Sequence, residues 1–200
     1  MIYFSDVDVV LKLARCGFLP CLAELLGVKE TEIKVQHLAS LKSRTKKLAR
    51  QEHRRDLEEF CAKHRIIDGT SDVAREQALL DAGMDPGEAL LFAEAETTGG
   101  IVVTGDKRAL VAYAKASTTA QRSKIEVVCW EQLLLRVHEL KGYEELKRGG
   151  CEGMADDGLL RLAFSNGLAT PEEHALEAIQ SYLNGVKKHS GDLLHSFPTP

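Results

Sequence analysis

The chain predicts an α/β domain of three layers, with helices on both faces of a mostly parallel central sheet and a C-terminal helical extension. Short apolar runs alternate with longer segments of helical periodicity. The clearest run, Ile101-Val102-Val103-Thr104, is apolar at successive positions, as a strand buried on both faces requires. Two runs end at an acidic residue that opens a helix, Asp6 and Asp106.

Each element follows from local composition. Met1–Phe4 reads as a strand ending at Ser5 and Asp6. From Val7 to Leu26 apolar residues recur at helical spacing, divided into two helices by Gly17 and Pro20. Residues 33–36 (IKVQ) fit either a strand or the start of a long helix, and Ser40 to Lys63 is polar and helix-favouring. A loop at 68–72 leads to a helix over 73–82. Asp85-Pro86-Gly87-Glu88 opens the helical run ALLFAEA, which Gly99-Gly100 closes. After Ile101–Thr104 come a helix over Lys107–Ala116, a strand over Ile125–Val128 and a helix over Trp130–Leu140.

The sheet domain is expected over 1–148 and the extension over 149–200, with Gly149-Gly150 at the junction. Within the extension 156–166 and 171–184 read as helices. The second carries Thr170 at N-cap, Pro171 at N1, Glu173 at N3 and Gly185 past its end. The tail from Ser190 is expected to be disordered.

Composition narrows the function classes. With 44% hydrophobic residues a sizeable core is possible, yet no apolar run approaches the ~18–20 residues of a membrane span. The opening MIYFSDVDVV has two acids and no basic stretch, unlike a signal peptide. Five cysteines without a C-x-x-C pair fit reduced thiols of a cytoplasmic protein better than a disulfide framework or zinc knuckle. A net charge of −4 excludes a wholly basic coat protein but leaves room for a basic patch. Neither a P-loop nor G-x-G-x-x-G is present.

Carboxylates carry the chemistry. In a parallel sheet the carboxyl ends of the strands share one edge, so Asp6 and Asp106 can converge there. Glu88 opens the helix feeding the Ile101–Thr104 strand, and a right-handed crossover brings that helix start to the same edge. Oxygen donors without His or Cys suit Mg²⁺ or Mn²⁺, and the chemistry they support is phosphodiester hydrolysis. Each acid also fits a purely structural role: Asp6 and Asp106 as helix N-caps, Glu88 as the partner of Asp85 in a capping box.

A basic stretch follows the second apolar segment. Lys42, Arg44, Lys46, Lys47, Arg50, Arg54 and Arg55 stand against a single acid, Glu52. Such a stretch can track phosphates or simply form a solvated helix face. It has no aromatic residue for base stacking. Lys107 and Arg108 could neutralise phosphate and Thr104 could orient a phosphate or water. His37, His53 and His64 are weaker candidates, since structural histidines are commoner than catalytic ones. Trp130 reads as a packing residue.

FSDVDVVLKLARCG resembles the opening of the PIN-like domain family, a strand ending in Asp ahead of an apolar helix. DPGEALLFAEAETTGGIVVTGDKRALVAYAK resembles the second half of that family's signature, with an acid opening a helix, then a strand, then Asp before a basic residue. The resemblance covers roughly residues 1–130. It implies a three-layer PIN-like fold and a Mg²⁺- or Mn²⁺-dependent endoribonuclease, with Asp6, Glu88 and Asp106 as catalytic metal ligands. RNA is the implied substrate, and an antitoxin-like protein or a second copy of the chain is a candidate partner. The chain departs from the pattern at the second motif. Where the family usually has Glu after the second strand, Ser40 or a neighbour stands here, and no acid lies between Glu32 and Glu52. Asp8, Glu52, Asp56 and Glu59 are candidates to complete the site. A PIN-like scaffold with weakened catalysis is the alternative.

Overall fold

A computed structural model describes residues 2–36, 41, 44–67, 69–190 and 193–197. Among them, β1 (Tyr3–Ser5), β2 (Ile33–Gln36), β3 (Arg65–Ile67), β4 (Ile101–Thr104) and β5 (Glu126–Cys129) form one sheet. Its order is β3-β2-β1-β4-β5, every adjacent pair parallel. The chain steps outward from β1 through β2 to β3, then crosses back to β4 and steps outward again to β5. The order therefore reverses between β1 and β4.

Strand residues alternate between two cores, as a period of two demands. Tyr3, Ile33, Val35, Ile101, Val103 and Val128 pack with α1 (Val7–Cys16), α2 (Leu22–Leu26), α3 (Gln51–Lys63) and α8 (Trp130–Lys141). Phe4, Ile67, Val102, Val127 and Cys129 pack with α4 (Val73–Asp81), α5 (Pro86–Thr98) and α6 (Lys107–Ala116). A short α7 (Thr119–Arg122) leads into β5. The chain is thus a three-layer α/β fold, as its alternating pattern predicts.

Helix α5 is apolar on nearly every side because it lies under its neighbours, with Ala89, Leu91, Phe92, Ala93 and Ala95 fully buried. Its Glu96 is buried too, and is held by Arg75 of α4 through Nε at 2.8 Å and Nη2 at 2.6 Å. The Arg75 Nη1 donates to the Ala116 carbonyl at 3.1 Å, so the buried guanidinium is well partnered.

Several elements differ from expectation. Residues 33–36 are a strand, and β3 was not anticipated: three residues behind a polar helix give too short a signal for periodicity. The helix expected over Ser40–Lys63 is confined to Gln51–Lys63, preceded by a 3₁₀ turn at Thr45–Lys47. Gly149 and Gly150 lie inside α9 (Tyr143–Gly153), not in a linker, so the boundary expected at 148–149 runs through a helix. Their missing side chains permit close packing. A Cβ on Gly149 would stand 2.4 Å from the Cys16 carbonyl oxygen, and one on Gly150 would stand 2.1 Å from the Phe164 ring.

α10 (Gly158–Ala163) and α11 (Glu172–Ser190) follow. Leu146, Leu159, Leu160, Phe164, Ala175 and Ile179 share one core with Val9, Leu13 and Phe18. Further along α11, Leu183 and Val186 enter the core on the opposite side of the sheet. Gly185 does not end this helix, because burying Val186 and Ser190 outweighs a single glycine's cost. Thr170 does not cap it either, since its hydroxyl has no hydrogen-bond partner. The expected disordered tail is in part ordered. Leu194 bridges to Val127, and the His195 N–H donates to the Val127 carbonyl at 2.8 Å, covering the β5 edge. No helix among the described residues is long and apolar enough to cross a membrane.

The packing of α9 on α1 makes a direct prediction. Gly149→Ala should destabilise the protein by ~1–3 kcal/mol in urea unfolding, as overpacking against backbone does. A chain ending at Gly149 should lose cooperative unfolding, because Phe18, Leu13 and Val9 would lose their cover. A truncated chain with the full-length unfolding midpoint would show that the extension is separable.

Candidate functional site

The acidic cleft is positioned by β1 and β4. Their register pairs Tyr3 with Ile101 and Ser5 with Val103. One residue beyond β1 the Asp6 N–H donates to the Val103 carbonyl at 2.9 Å, extending the ladder and fixing Asp6 beside the end of β4. The strand order reverses at this pair, and the carboxyl ends of strands at such a reversal form a crevice.

The cleft has a volume of about 430 Å³ and is lined by Asp6, Asp8, Asp85, Glu88 and Asp106, with Arg44 and Arg108 as its cations. Asp6, Glu88 and Asp106, nominated by the sequence, therefore face a common space. Asp8 joins them, although its exposed carboxylate is engaged by Arg44 at 3.2 Å. Asp85 was read only as a cap. It does accept from the Gly87 N–H at 2.8 Å, but it also lines the cleft.

The structural alternatives separate at this point. Asp6 occupies the N-cap position of α1, yet its carboxylate makes no capping hydrogen bond. Asp106 caps α6 through the Arg108 N–H at 2.7 Å and is gripped by the same residue's guanidinium at 2.9 Å. Glu88 is buried and its Oε1 accepts from the Thr104 hydroxyl at 3.4 Å. That hydroxyl also accepts from the Asp106 N–H at 3.1 Å, so Thr104 links the two acids.

Protonation follows from these surroundings. Burial, then repulsion from Asp106, Asp6 and Asp85, pushes Glu88 from 4.5 up to about 8. Burial and Asp8 push Asp6 up to about 6, with the nearby N–H groups of Val7 and Asp8 offsetting part of the rise. For Asp106 burial acts upward, but the Arg108 guanidinium and backbone N–H groups outweigh it and hold the carboxyl below its usual value.

Other nominated residues are elsewhere. Glu52 pairs with Arg50 at 3.1 Å, while Asp56 and Glu59 line a separate cavity at the amino end of β2. None of the three lines the acidic cleft. Of the basic stretch, Arg44 lines the cleft. Arg50 is held by Glu152 at 2.8 Å, Arg54 Nε donates to the Leu48 carbonyl at 2.7 Å, and Arg55 approaches Glu59 at 3.9 Å. Lys46 is exposed. Lys42, Ser40, His37 and the Lys47 side chain lie outside the described part. Lys107 turns to Glu131 at 3.2 Å and lies 4.5 Å from the centroid of the Tyr182 ring. His53 packs beside Glu152 at 3.4 Å, and Trp130 is buried as expected.

Among the described residues no three His, Cys, Asp or Glu side chains are grouped as a ready-made set of metal ligands. The all-oxygen donors fit a hard divalent cation in kind, and the raised Glu88 marks carboxylates lacking sufficient counter-charge. Comparison with known protein families, characterised proteins and solved structures gives no match.

The raised carboxyls predict a pH dependence. Glu88 keeps its proton when folded to about 8 but loses it near 4.5 when unfolded, so the folded state binds the extra proton between those values. Stability without added cation should then fall as pH rises from about 5 to 8. Glu88→Gln should flatten that slope and raise stability at pH 8 by ~2–4 kcal/mol. Parallel thermal-unfolding curves for wild type and variant across this range would refute the assignment.

Proposed function

We propose that the chain is a PIN-like, metal-dependent endoribonuclease that hydrolyses phosphodiester bonds in the acidic cleft. One observation carries it: Asp6, Glu88 and Asp106 line a common cleft at the strand reversal of a parallel sheet, and Glu88 is raised by both of the others. In this reading Asp6, Glu88 and Asp106 hold Mg²⁺ or Mn²⁺, with Asp8 as a further oxygen donor. When bound, the cation supplies charge neutralisation at phosphate and a lower pKa for the attacking water.

The chain's own groups supply positioning. Thr104 keeps Glu88 and Asp106 in one hydrogen-bonded unit. Arg44 and Arg108 sit at the mouth as the cleft's cations, suited to hold the phosphate next to the cleaved bond. Water attacks phosphorus in line, the bond to the leaving ribose oxygen breaks, and that oxygen takes up a proton. Neither arginine reads bases, so the specificity expected is for the backbone.

A scaffold without catalysis is favoured by a different observation. Arg108 and Arg44 already engage Asp106 and Asp8, leaving fewer free oxygens for a cation. The test is cleavage of single-stranded RNA in Mn²⁺ buffer. Asp6→Asn, Glu88→Gln and Asp106→Asn should fold and each lose at least ~100-fold in rate, the scale of removing one electrostatic contributor. Wild-type protein that cleaves neither RNA nor DNA would leave the scaffold.

A further inference from the structure

A second cavity lies at the amino edge of the sheet, away from the acidic cleft. It encloses about 120 Å³ between the start of β2, the turn after α1 and the end of α3. That is about four waters' share of liquid volume, or the end of one flexible chain. Its floor is apolar, formed by the buried Leu19, Leu22, Ile33 and Phe60.

One wall is His64, only 8% exposed and stacked on Phe60 with ring centroids 3.8 Å apart. Its Nδ1 lies 2.8 Å from the Phe60 carbonyl oxygen, which can only accept, so Nδ1 carries the proton. Burial lowers the pKa, so the ring is neutral at pH 7 and Nε2 is a lone-pair acceptor. That Nε2 is buried and has no partner. A buried acceptor left unmatched is costly, so a donor is wanted at this point.

The mouth sets the charge of that donor. Glu30, Asp56 and Glu59 stand there against a single Lys63. Lys63 reaches Glu30 only at 3.7 Å, and Arg55 reaches Glu59 only at 3.9 Å, both between exposed side chains. Asp56 has no hydrogen bond or ion pair among the described residues. A metal ion is disfavoured, because these side chains do not group as ligands.

We propose that this cavity binds an alkylammonium or alkylguanidinium group, its stem on the apolar floor and its N–H groups shared between His64 Nε2 and the Asp56 carboxylate. The chemistry is that of a free aliphatic amine or of a lysine or arginine side chain from another protein. It is independent of the nuclease reading and of the acidic cleft.

The test uses the full-length protein and n-butylammonium, followed by the His64 ring resonances and by calorimetry. Millimolar binding that shifts the His64 signals is expected, with n-butanol and butyrate much weaker. Asp56→Asn, on an accessible rim, should fold normally and weaken binding by about fivefold or more, as loss of a charge-assisted partner does. A short lysine- or arginine-containing peptide separates the sources: tighter than butylammonium points to a protein side chain, weaker to a free amine. The proposal fails if neither cation shifts His64, if butanol shifts it equally, or if Asp56→Asn binds like wild type.

Discussion

The register between β1 and β4 is the constraint on which the site depends. With Ser5 level with Val103 and the Asp6 N–H bonded to the Val103 carbonyl, the first acid and the Thr104–Asp106 turn are brought to one height. A slip by one residue would exchange the faces of β1, sending Phe4 to the wrong core and Asp6 away from the cleft. Burial of Phe4 on one face and Tyr3 on the other therefore holds the chemistry in place. The helices are arranged around this pair. α5 delivers Glu88 from beneath, and α1 starts at Asp6 itself.

The cleft is a site of uncompensated charge. Five carboxylates line it and two guanidiniums answer them, both on the exposed side. Glu88, the most buried of the acids, responds by holding its proton, which is the ordinary outcome when a carboxyl loses solvent beside other carboxyls. Such an arrangement lowers stability and is kept where a cation or a proton is to be exchanged. Arg108 contributes in two ways, as the counter-ion of Asp106 and as a wall of the space where phosphate would enter.

How much of this could be read in the sequence depends on chain length and separation. Ile101–Thr104 and its following Asp106 were legible because four apolar residues and a Gly-Asp turn form a local pattern. β3 was not, since Arg65–Ile67 becomes a strand only by pairing with β2. Gly149-Gly150 looked like a linker because glycine signals a loop as readily as a close helix contact, and only Phe18 and Phe164 distinguish the two. Asp6, Glu88 and Asp106 were nominated together from their strand ends. The positions of Glu52, Asp56 and Glu59 could not be, because the path of α3 across the amino end of the sheet is set by packing on Gly17 and Leu19, not by local pattern.

The central claim is that Asp6, Glu88 and Asp106 form one cation-binding cluster. The most direct measurement is calorimetric titration of Mn²⁺ into the wild-type protein at pH 6 and pH 8, repeated on Asp6→Asn and Asp106→Asn. Because protons on Glu88 and Asp6 compete with the cation, wild-type affinity should be higher at pH 8, and each variant should lose about tenfold or more. Absence of binding to the wild type, or variants that bind Mn²⁺ as tightly as it does, would contradict the account.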